Sequence, residues 1–167
     1  DLQVMQPSPE QVEWAAHRAV RGELDSVTRP ANWNGNGLPA YQPQVEFPPT
    51  AIDGGGVMPA AVLLGVLAQE SNLWQAARGA VPGVPGNPLI SNYYGAEFGA
   101  DTNGITRIVD FDPSEVDCGY GVGQVTDNMR SSDTVHSPDQ QLMIAHDYLV
   151  NISVAYNILV EKWNQLV

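Results

Sequence analysis

The sequence predicts a mainly α-helical domain, on three observations. Two Ser-Pro-x-Gln segments, Ser8–Gln11 and Ser137–Gln140, each precede apolar residues at helical spacing. A charge-free run from Val62 to Ala68 leads into Glu70-Ser71-Asn72. No alternating strand pattern of any length appears, beyond a short hairpin expected around 104–112. The 167 residues, 43% hydrophobic, suit one globular domain with its own core.

Taken in order, Ser8 is the expected N-cap of a first helix, with Pro9 at its first position and Gln11 closing a capping box. Val12, Ala15, Ala16, Ala19 and Val20 recur on one face, so residues 9–22 read as an amphipathic packing helix. Residues 29–56 hold Pro and Gly at a density that forbids a long helix or central strand. Trp33, Tyr41 and Phe47 punctuate this stretch, as pins onto the core or as platforms for sugar rings; pinning is the favoured reading.

Pro59 opens the helix that ends at Glu70 to Trp74. Residues 76–116 are again loop-rich, with Asp101, Asn103, Asp110, Asp112, Glu115 and Asp117 crowding the second half. Asp101-Thr-Asn103-Gly104 lacks the alternating ligands and final Glu of a calcium loop, so a solvated acidic loop is the default there. Gly119-Tyr120-Gly121-Val122-Gly123-Gln124-Val125 places three glycines on alternate positions, which lets the backbone pass close to a helix or a ligand. From Pro138, apolar residues continue at helical spacing to Trp163, predicting one long helix or two collinear helices over about 138–166, the most buried of the fold.

The formal net charge of −12, with only 7 Lys plus Arg, argues against nucleic acid and anionic membranes and suits a neutral polymer, a sugar or a cationic partner. No apolar run has the length of a membrane span. The chain starts at Asp1 without a leader, consistent with a removed signal peptide or a piece of a larger protein. The single Cys118 gives no internal disulfide, and the scattered His17, His136 and His146 suggest no zinc site. No metal or cofactor is implied.

Glu70 is the leading catalytic candidate. A carboxyl at the end of an apolar helix is shielded from water, which favours its protonated form and suits a general acid. An exposed helix-end Glu is the bland alternative.

Three segments then stand together: Glu70-Ser71, Gly121-Val122-Gly123-Gln124-Val125 and Ala155-Tyr156-Asn157, with Asn151-Ile152 just upstream of the last. In this order they resemble the lytic transglycosylase and goose-type lysozyme family of the lysozyme-like superfamily, over roughly residues 59–167. The resemblance implies a lysozyme-like helical core at 59–167; it does not place residues 1–58, which the residue pattern alone reads as an N-terminal helix and irregular extension. It implies Glu70 as acid, Gln124 and the backbone at Gly123 holding the sugar, Tyr156 orienting Glu70 through its hydroxyl, and Ser71 and Asn157 as further substrate-site residues. Residues 76–116 then read as an insertion beside or over the cleft. Val122 and Gly123 stand where the family carries bulkier residues, which alters the sugar subsites.

The implied substrate is the peptidoglycan glycan strand, and the implied reaction a lytic transglycosylation by Glu70 alone, giving anhydro-muramyl ends. The runner-up is a goose-type hydrolase with a loop aspartate as second carboxylate: Asp101, Asp110, Asp112 or Asp117. A non-catalytic glycan-binding or structural domain on the same fold is the reading from another class. A wall substrate implies a secreted or cell-surface protein, monomeric or part of a larger chain.

Overall fold

The computed structural model describes residues 4–75, 96–100, 102–104, 106–111 and 118–167. Among these the chain is mainly α-helical, with five helices and one small hairpin.

Helix α1 (Pro9–Ala19) begins as expected: the Ser8 hydroxyl accepts from the Gln11 N–H, and the Gln11 side chain accepts from the Ser8 N–H. Its face of Val12, Ala15, Ala16 and Ala19 is fully buried and packs on later helices. It ends at Ala19 rather than residue 22. Gly22 takes a left-handed φ of 73°, and a 3-10 turn follows at Glu23–Ser26. The short helix α2 (Pro43–Glu46) seals that end. Its buried Gln44 carboxamide donates to the Ala19 carbonyl and accepts from the Leu24 N–H, both at 2.8 Å.

Apart from a 3-10 turn at Trp33–Gly35, residues 29–56 are otherwise irregular, joined internally by a backbone pair between Arg29 and Tyr41. The aromatics are pins: Tyr41 and Phe47 are buried, and Trp33 meets His146 edge-on at 5.3 Å. Helix α3 (Ala60–Ser71) buries one stripe, Ala60, Leu63, Leu67 and Ser71. Its other side is open, with Val62 51% exposed, so the apolar run is only partly shielded.

Strands β1 (Ala96–Ala100) and β2 (Thr106–Phe111) pair antiparallel. The second falls within the window expected for a hairpin, and the first lies upstream of it.

Helix α4 (Pro138–His146) repeats the capping box with Ser137 and Gln140. Helix α5 (Tyr148–Asn164) is buried without interruption from Tyr148 to Tyr156, as its all-round apolar pattern predicts. The two helices are not collinear: they meet at 104°. Asp147 makes the corner with an extended backbone, and its side chain accepts from the Leu149 N–H at 3.0 Å as the N-cap of α5. Helix α5 packs against α1, α2, α3 and α4, so it carries the core and fixes where α3 lies.

Candidate functional site

Helix α3, the segment 123–127 and α5 enclose a cleft of about 310 Å³. Helix α3 contributes Val66 and Glu70, one turn apart; the segment contributes Gly123, Gln124, Thr126 and Asp127; α5 contributes Ala155, Ile158 and Leu159. Two larger cavities exist, of about 480 and 360 Å³. Among the described residues the first is lined by no ionisable side chain, and the second only by Asp53. Chemistry therefore selects the smaller cleft.

Glu70 is half-buried, and among the described residues its carboxyl has no hydrogen bond or ion pair. It is available to a ligand. Gln124 and Gly123 reach the same cleft from a hairpin. Tyr120 and Val125 exchange both backbone bonds, at 3.1 and 2.9 Å, leaving Gly121–Gln124 as the loop. Its tip lies hard against α5. A Cβ at Gly121, where φ is +74°, would overlap the Asn151 carboxamide, and one at Gly123 would sit 2.6 Å from the Ala155 Cβ. The alternate glycines are there for close approach to a helix, one of the two options the sequence leaves open.

Three buried side chains hold this loop. The Ser71 hydroxyl donates to the Val122 carbonyl at 2.7 Å. The Gln75 side-chain oxygen accepts from the Val122 N–H at 3.1 Å, and that of Asn151 from the Gly123 N–H at 2.7 Å. The Gly123 N–H is thus engaged within the protein, so of the backbone expected to hold the sugar at this residue only the carbonyl is left to a ligand. Gln124 folds its own amide nitrogen onto the Gly121 carbonyl at 2.8 Å. Its amide oxygen, as an acceptor of hydroxyl or amide protons, and the second proton of its nitrogen are left for a ligand.

The structure also places the three other expected site residues. Ser71 is fully buried and ties α3 to the loop, within the polar network of the site. Tyr156 does not orient Glu70. Its hydroxyl donates to the Thr50 carbonyl at 3.3 Å, and burial pushes its phenol above the ordinary range, keeping it a donor. Asn157 is likewise outside the cleft: it accepts from the Thr50 N–H at 2.8 Å and donates to the Pro48 carbonyl at 2.9 Å. The reason is angular. Each helical residue turns 100° from the last, so with Ala155 facing the cleft, Tyr156 and Asn157 turn towards 48–50.

Of the candidate second carboxylates, Asp101, Asp112 and Asp117 lie outside the described residues. Asp110 is placed by its backbone on β2, opposite Glu97, and its side chain is outside the described part. Among the described residues, the carboxylate that does share the cleft with Glu70 is Asp127, which sequence reasoning missed. Its one signal is position, three residues after Gln124 and outside any helix. Gln75 was missed too, five residues beyond Glu70. Among the described residues no cluster of three or more metal-ligating side chains occurs. No family model, curated protein or solved structure matches this chain.

Proposed function

We propose that this chain is a lytic transglycosylase on a lysozyme-like helical domain. It cleaves the N-acetylmuramic acid–N-acetylglucosamine bond of peptidoglycan with Glu70 as single general acid/base. The observation that carries the reading is one cleft holding both Glu70 and Gln124, residues distant in sequence that the motif resemblance had paired. The unengaged Glu70 carboxyl and the acceptor face of Gln124 support it.

In this reading protonated Glu70 gives its proton to the glycosidic oxygen as the bond to the muramyl anomeric carbon breaks, assisted by the muramyl N-acetyl group. The resulting carboxylate then takes the proton of the muramyl C6 hydroxyl, whose oxygen bonds to the anomeric carbon. Glu70 ends protonated, no water is consumed, and the product carries a 1,6-anhydro end. Such a substrate places the protein outside the cytoplasm, secreted or on the cell surface.

A second reading is favoured by Asp127. A carboxylate sharing the cleft with the acid suits a hydrolase in which Asp127 activates water, in place of the loop aspartates.

Digestion of purified peptidoglycan with product masses decides between them, because the anhydro end is lighter by one water. The wild type is expected to give anhydro ends, Glu70→Gln to lose about 100- to 10,000-fold in rate, and Asp127→Asn to leave the product unchanged. Hydrated ends that vanish in Asp127→Asn establish the hydrolase instead. A wild type that cleaves nothing, or a Glu70→Gln variant as active as wild type, overturns both and leaves a non-catalytic domain.

A further inference from the structure

We infer that the Asn151 carboxamide, backed by that of Gln75, is the positioning device that sets the Gly121–Gln124 loop, and so Gln124, in register with Glu70. The inference rests on the cleft being the active site.

Asn151 is fully buried on α5. Its oxygen accepts from the Gly123 N–H at 2.7 Å; its nitrogen donates to the Tyr120 carbonyl at 2.8 Å and the Ile144 carbonyl at 3.0 Å. Two of these three bonds serve the loop. Gln75 repeats the arrangement, accepting from the Val122 N–H at 3.1 Å and donating to the Ala145 carbonyl at 3.0 Å. Ile144 and Ala145 belong to the last turn of α4, where carbonyls lack helical partners. Each carboxamide therefore joins an open helix end to the loop. Gly121 lies between them: a Cβ there would meet the Asn151 side chain and come within 2.7 Å of the Gln75 nitrogen.

From the other side, Ser71 holds the Val122 carbonyl, one residue after Glu70 in the chain. The loop is thus referenced to α3 and to the α4–α5 corner at once. Moving Gln124 relative to Glu70 means breaking buried bonds that leave polar atoms without partners. Asparagine suits this because it presents an acceptor and a two-proton donor on one short, planar group. Aspartate is nearly isosteric but faces the Tyr120 and Ile144 carbonyls with an acceptor.

The test compares Asn151→Asp and Asn151→Leu with Asn164→Ala, an α5 carboxamide that binds backbone away from the cleft. Thermal midpoints, kcat and KM on peptidoglycan, and amide hydrogen exchange at Val122 and Gly123 are read well below each midpoint. Both Asn151 variants are expected to lower kcat by about 10- to 100-fold, as for a small misplacement of a reacting group. Exchange should quicken locally at the loop, while Asn164→Ala keeps kcat within about twofold of wild type. Unchanged kcat in folded Asn151 variants overturns the inference, as does an equal loss of kcat in Asn164→Ala. If the wild type turns over nothing, the transglycosylase reading fails on its own. Exchange then decides: loop protection unchanged in Asn151→Leu overturns the inference, and selective loss of protection at Val122 and Gly123 supports it.

Discussion

Arg29 grips Asp147 through two hydrogen bonds of 2.7 Å at the corner where α4 turns into α5. Asp147 is fully buried; it also accepts from the Tyr41 hydroxyl at 3.2 Å, and the guanidinium lies 3.9 Å above the Trp33 ring. Burial alone would lower the Arg29 pKa, but the bond and charge of Asp147 outweigh it and raise it. Removing one partner strands the other charge, so Arg29→Met is expected to cost about 3–5 kcal/mol in urea unfolding. Arg29→Met combined with Asp147→Asn should recover part of that loss. A single-variant loss below about 1 kcal/mol, the range of exposed pairs, would contradict the account.

Gly123 and Ala155 meet where the hairpin crosses α5. Gly123→Ala puts two methyl groups 2.6 Å apart, an overpacking expected to cost about 1–3 kcal/mol. Ala155→Gly in the same molecule removes the clash, so the double variant should be more stable than Gly123→Ala alone despite the helix penalty of glycine. Additive losses from the two changes would mean that the contact is not the cause.

His136 packs edge-on against Phe47 at 5.5 Å, and burial lowers its pKa from the ordinary 6.5. The unfolded chain then takes up the His136 proton more readily than the native one. Stability from this group is full above pH 6.5 and falls as pH drops through that value, levelling below the native pKa. Thermal midpoints measured from pH 7.5 to 5 should fall more steeply in the wild type than in His136→Asn. Parallel curves would remove His136 as the source.

What was legible in the sequence was local. The boxes at Ser8 and Ser137 formed as expected because every atom they use lies within four residues. Helix α3, its terminal Glu70 and the burial of α5 followed from spacing and apolarity. The corner at Asp147 was not legible: apolar residues continue at helical spacing through it, and its partner Arg29 is 118 residues away. Tyr156 and Asn157 share a motif with Ala155, yet chain adjacency on a helix separates faces, so a short motif overstates what gathers in one place. Asp127 escaped notice because an exposed Thr-Asp-Asn turn resembles any other surface turn.

Asn157 and Asn164 grip residues 48–53 in the same way. Asn157 takes the Pro48 carbonyl and Thr50 N–H; Asn164 takes the Ala51 carbonyl and Asp53 N–H. Seven helical residues rise about 10.5 Å, close to the roughly 10 Å reach of three residues of chain. Both grips read the main chain alone. The segment is therefore free to vary in side chain at Thr50, Ala51 and Asp53 as far as these ties are concerned, with one prohibition: proline, common just upstream at Pro48 and Pro49, is barred from 50 and 53, where an amide proton is needed. A library randomised over those positions should return most amino acids and reject proline at 50 and 53.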